Sequence, residues 1–91
     1  MNGYKNPETY FCSLWIDADD TTRRDYIAMA KELQEDDPDE QIRAVADAMR
    51  RSVEDGAPEL SGSLYGDLLD AAIESIDFRA LALEFIEEAR E

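Results

Sequence analysis

Between Asp37 and Pro58 both ends of a helix are written into the residues, and no other segment restricts the fold as tightly. Asp37 can accept hydrogen bonds from the free amides of a first turn. Pro38 suits the first helical position, where its missing N–H would have no partner, and Glu40 completes a capping-box pattern three residues past the cap. Ile42, Val45, Ala46, Met49 and Val53 then recur at three- and four-residue spacing, which lines one face of an α-helix. Gly56 and Pro58 supply the stop. A helix with such a stripe needs other apolar faces to cover it.

The remaining segments repeat this pattern. Asn6-Pro7-Glu8 predicts a helix start, and Phe11, Leu14, Trp15 and Ala18 are the face expected to point inward. Tyr10 to Ile16 also suits a strand, because Tyr, Phe, Trp and Ile pack well on a pleated surface. The start signal, and the lack of a second convincing strand to pair with, decide for helix. Asp19, Asp20, Thr21 and Thr22 can cap a second helix with the stripe Tyr26, Ile27, Ala30 and Leu33. After a turn through Gly56 to Gly62, a fourth helix carries Leu64 or Tyr65, then Leu68, Leu69, Ala72 and Ile76. Asp77 caps a fifth, with Phe78, Leu81, Ala82, Phe85, Ile86 and Ala89 expected inside. The expected fold is all-α, a compact bundle of about five short amphipathic helices forming a single acidic domain over residues 1–91.

Composition narrows the function by exclusion. There are 23 acids against nine bases, giving a net charge of −14 and a pI near 4.1. Such a surface repels phosphate, so nucleic acid and anionic membrane are not expected as direct partners. With no histidine and one cysteine there is no imidazole base, no Ser-His or Cys-His pair and no ordinary zinc site. Asp17-Ala18-Asp19-Asp20 looks like the start of a calcium loop, but Thr22 stands where the sharp turn needs glycine and Ala28 where a bidentate glutamate should close the cage. It reads instead as a capped, solvated turn. The serines have no base to activate them, and the glycines form no phosphate-cradling loop. No metal, cofactor or enzymatic activity is expected. Cys12 lies in an apolar run with no close base, which suits a small buried hydrophobe. The opening residues lack the basic and apolar stretches of a signal peptide, and no apolar run is long enough to span a membrane, so a cytoplasmic location is expected.

The acids that open helices have local work as caps. The surplus does not. Glu35-Asp36-Asp37-Pro38-Asp39-Glu40 places five carboxylates in six residues, and Asp17, Asp19, Asp20 and Asp25 crowd another junction. These nine are the candidate partner-binding residues. Carboxylates fixed on a rigid bundle can copy the phosphate ladder of a duplex and be drawn to the basic groove of a nucleic-acid enzyme. Alternatively a salt-loving host makes its proteins acid-rich and lysine-poor, and only two of the nine bases here are lysine. The protein is then a small helical interaction module or homodimer, because five apolar stripes exceed what so small a monomer can bury.

Asn2-Gly3-Tyr4-Lys5-Asn6-Pro7-Glu8-Thr9-Tyr10, continuing through Leu14-Trp15-Ile16-Asp17-Ala18-Asp19, resembles the opening of a family of small uncharacterised phage and plasmid proteins. Their openings run Asn-Gly-Trp-x-Asn-x-Glu-Thr-Trp, followed by Leu-Trp-Leu-Asp-Asn-Asp. Gly66 to Phe78 is similar to the same family's second signature, in which an aromatic follows a capping Asn or Asp. Tyr10 replaces the family's tryptophan and Phe11 its asparagine. The resemblance covers about a third of the chain and implies an accessory gene of a mobile element. Small acidic products of such genes are often inhibitors of host defence, of the anti-CRISPR or antirestriction type, so the expected partner is a basic surface of a nucleic-acid-processing defence complex.

Overall fold

Every helix of this protein starts at a side chain that accepts hydrogen bonds from its own first turn. In the computed structural model, which describes residues 3–90, the helices are α1 (Pro7–Asp17), α2 (Asp20–Glu32), α3 (Pro38–Gly56), α4 (Leu64–Ser75) and α5 (Phe78–Ala89). Asn6 Oδ1 accepts from the Thr9 amide at 2.9 Å, and Asp19 from those of Thr21 and Thr22 at 3.1 and 3.3 Å. Asp37 accepts from the Asp39 and Glu40 amides, Ser63 from Gly66 and Asp77 from Ala80. These bonds satisfy donors that the helix itself leaves open. The fold is an all-α compact bundle with no strand among the described residues, and α1 covers the segment that also suited a strand. Asn2, the first residue of the stretch that carries the family resemblance, lies outside the described residues, as do Met1 and Glu91.

The core is organised around α5. Phe78, Leu81, Ala82, Phe85, Ile86 and Ala89 are all buried, as their spacing predicts, chiefly against α3 and α2. Ile42, Val45 and Met49 of α3 and Ala30 of α2 meet them. Tyr26 packs its ring beside Phe85 at 5.6 Å between centroids. Gln41, buried, donates its side-chain amide to the Ala30 carbonyl at 2.9 Å, which satisfies an otherwise costly polar group and joins the start of α3 to the end of α2. Arg23 bridges Asp17 at the end of α1 and Glu88 of α5.

Helices α1 and α4 depart from the expected orientation. On α1 the buried residues are Thr9, Ser13 and Ile16, while Phe11, Leu14 and Trp15 face outward, Trp15 with 78% of its surface exposed. Hydrogen bonds explain the reversal. The Thr9 hydroxyl donates to Asn6 Oδ1 at 2.6 Å and accepts from the Asp77 amide at 2.9 Å, and Asn6 Nδ2 donates to the Ser75 carbonyl at 2.6 Å. This polar knot pins the start of α1 to the α4–α5 junction with Thr9 inward, and helical geometry then carries Ser13 and Ile16 inward behind it. On α4, Ile73 is buried and Leu69, Ala72 and Ile76 are half-buried, but Leu64, Tyr65 and Leu68 are exposed. This helix packs on α1 and α3 alone, so only one side of it is covered. No described helix is long and apolar enough to cross a membrane.

Candidate functional site

The outward rotation of α1 produces an open apolar groove that the stripe pattern does not predict. It runs between α1 and α4 over the C-terminal end of α3, with a volume of about 460 Å³. Ile16, Val53 and Ile73 form its floor, Phe11 and Trp15 one wall, and Leu69, Ala72 and Ile76 the other. Cys12 also lines it, half-buried rather than sealed inside, and burial pushes its thiol pKa up. A thiol so shifted holds little thiolate near neutral pH and is a poor nucleophile. Beyond the groove the apolar surface continues onto the outer face of α4, where Leu64 and Tyr65 are 67% and 69% exposed.

The charged residues that line this groove, Glu8 and Asp19, are both acids. A second depression, of about 550 Å³, adjoins it and shares Ala57, Leu69 and Ile73. It is lined by five carboxylates: Glu54, Glu59, Asp67, Asp70 and Glu74. Arg50, bridging Glu54 and Glu74, compensates part of that charge. The turn that walls it depends on two glycines. Gly62 adopts φ +77°, a conformation that costs glycine nothing, and Gly66 lies so close to Leu60 that an added Cβ would sit 2.2 Å from the Leu60 carbonyl oxygen. The turn therefore lies directly on the first turn of α4. Hydrogen bonds from Ser61 to Glu59 hold that carboxyl below its ordinary pKa.

The nine acids singled out from the sequence are all exposed, and the structure divides them. Asp17, Asp19 and Asp20 gather at the α1–α2 junction, and Glu35, Asp36, Asp37, Asp39 and Glu40 at the α2–α3 junction. Asp25 lies between them on α2. The 13-residue α2 separates the two groups by about 20 Å at 1.5 Å per residue. Asp19 and Asp37 are engaged as helix caps, and the bonds from Thr22 hold the Asp19 carboxyl below its usual range. Among the described residues Asp17 is 3.8 Å from Arg23 and Asp39 is 3.8 Å from Arg79; the other seven have no base within ion-pair distance.

The groove is not legible in the apolar spacing. Its signal is the crowding of large apolar residues on more than one side of α1 and α4, which leaves carbon for both an inner and an outer face. The two stretches that carry the family resemblance meet in space, since Asn6 and Thr9 bond directly to Ser75 and Asp77. Comparison with protein-family models, curated proteins and solved structures finds no match.

Proposed function

We propose that the protein is a non-enzymatic inhibitor that binds the basic nucleic-acid surface of a host defence complex, its carboxylates taking the place of phosphates. The observation that supports this reading is the arrangement of the nine acids, eight gathered at the two ends of α2 and Asp25 between them. A duplex carries one charge per about 1.7 Å of axis, and the two groups set closely spaced carboxylates at both ends of a helix about 20 Å long. Seven of them carry no ion pair among the described residues and so retain their charge for a partner. The family resemblance at the chain's opening adds a mobile-element origin, the setting in which such inhibitors arise.

The test is capture from a host lysate at low and high salt, with Glu35, Asp36 and Glu40 each replaced by Lys in a triple variant. Asp37, whose side chain accepts from the first turn of α3, is left in place, and circular dichroism checks that α3 keeps its start with Glu40 of that turn reversed. Capture of a basic nuclease complex should weaken steeply with salt and disappear in the variant. Salt-insensitive capture that survives the reversal refutes mimicry.

The apolar face of α1 and α4 favours a second reading, in which the protein is a small helical interaction module and its acidity reflects its host. Here Trp15, Phe11 and Leu68 supply the contact energy that charges on a rim do not.

A further inference from the structure

We infer that the α1–α4 groove is the docking site for an amphipathic helix of a basic protein, apolar on one side and carrying lysine or arginine on its flanks. The inference rests on the second reading above, that this face is a docking surface, and names its occupant. Helix α1 lines the groove from Glu8 to Ile16, about 12 Å, which matches a little over two turns of helix. Two turns present apolar anchors at i, i+3 or i+4, and i+7, the spacing by which grooves of this kind read a helix. The walls supply carbon for those anchors and almost no polar group to orient a small molecule.

Charge selects the kind of helix. Helix α1 carries Glu8 and Asp17 and no base; helix α4 carries Asp67, Asp70 and Glu74 and no base. The adjoining depression adds Glu54 and Glu59. An apolar strip between two acid-bearing helices attracts a helix with cationic flanks and repels an acidic one. A second copy of this chain is the poorer occupant, because it brings fourteen further net negative charges to a surface that offers no base on either wall.

The probe is a fluorescein-labelled peptide of about 18 residues with leucine at i, i+3, i+4 and i+7 and lysine elsewhere, long enough to form a helix on binding. Its anisotropy is titrated with the whole protein, beside a scrambled peptide of the same composition and a leucine–glutamate counterpart. Saturable binding of the leucine–lysine helix is expected, with a blue shift of the emission of Trp15, the single tryptophan. Phe11→Ala and Trp15→Ala alter exposed side chains, so circular dichroism should be unchanged while affinity falls about thirtyfold, equivalent to about 2 kcal/mol for an aromatic anchor. Equal binding of the scrambled peptide, or affinity unchanged in both variants, overturns the proposal by showing attraction through charge alone. A sedimenting dimer that Trp15→Ala dissociates, with no peptide bound, keeps the docking surface and overturns the basic helix as its occupant. A monomer that binds no peptide overturns both. A Trp15 blue shift with zwitterionic vesicles and none with peptide also overturns the proposal, in favour of a lipid surface.

Discussion

Replacing Thr9 by valine removes one hydroxyl from the polar knot that sets the rotation of α1 and keeps nearly all of the side chain's volume. Thr9 is completely buried, its Oγ1 accepts from the Asp77 amide at 2.9 Å, and its O–H donates to Asn6 Oδ1 at 2.6 Å. In Thr9→Val the Asp77 N–H loses its acceptor inside the α1–α5 contact. A part-buried donor left unpaired costs about 1–3 kcal/mol, so about 2 kcal/mol is the expected loss. For a chain of this size about 4–8 °C of melting temperature accompanies each kcal/mol, so the transition should fall by about 10 °C. The control is Thr9→Ser, which retains both hydrogen bonds and loses one buried methyl, worth about 1 kcal/mol. Both are measured by urea unfolding followed at 222 nm, with an unchanged m-value as the check that the same surface unfolds. Circular dichroism is the right probe, because Trp15 is already in water in the native state and its fluorescence reports little. The reasoning requires valine to be worse than serine. If serine is the more damaging substitution, methyl packing and not the hydroxyl holds α1, and the explanation of its rotation is wrong.

Gly66→Ala should destabilise although alanine is ordinarily the better helix former, because its Cβ would lie 2.2 Å from the Leu60 oxygen and 2.8 Å from the Leu60 carbonyl carbon; a loss of about 1–3 kcal/mol in chemical denaturation is expected, and a gain refutes the close approach. Gln41→Ala removes the hydrogen bond that joins α3 to α2 while the Ala30 carbonyl keeps the Leu33 amide, and should cost about 1 kcal/mol by the same measurement. The Asp19 pKa is lowered on folding from an ordinary value of 3.8, so its contribution is fully present above about pH 3.8 and is lost as pH falls through the lower folded value. Asp19→Asn, which caps without titrating, should flatten that part of the acid-unfolding curve, and an unchanged curve counts against the cap. Cys12, its thiol pKa raised by burial, should be alkylated by iodoacetamide at pH 7.5 more slowly than in the urea-unfolded chain, and equal rates refute the half-buried site.

The places where sequence pattern and structure part company have a common physical origin. On α5 the inward stripe was legible because nearly all its apolar residues share one face, while Arg79, Glu84 and Glu87 with Leu83 alone make up the other. On α3 the stripe from Ile42 to Val53 was legible for the same reason. Helix α1 offers two solutions. Phe11, Leu14 and Trp15 hold more carbon than Thr9, Ser13 and Ile16, and a rule based on hydrophobicity chooses the wrong side. What decides is a set of hydrogen bonds across 68 and 69 residues of sequence, from Asp77 to Thr9 and from Asn6 to Ser75. No local spacing encodes that distance. The groove was illegible as a consequence, since it exists only once α1 has turned its aromatic face away from the core.

That rotation also changes what the acids must explain. Had α1 buried its aromatic face, affinity would have to come from charge, and exposed charges give rate and selectivity more readily than binding energy. With Phe11, Trp15 and Leu68 in solvent, the apolar contact and the charge can divide the work. The two surfaces predict different salt dependence. Capture through the α2–α3 junction should vanish at high salt, because exposed charges beyond about 10 Å are screened at 0.1 M. Capture through the groove should weaken on losing its acidic rim's attraction and then level off, since apolar burial is not screened and excluded salts such as sulfate strengthen it. A single titration of one captured partner against sodium chloride and then ammonium sulfate therefore assigns it to a surface. A steady decline in both salts assigns it to the acids, and a recovery in sulfate that Trp15→Ala abolishes assigns it to the groove.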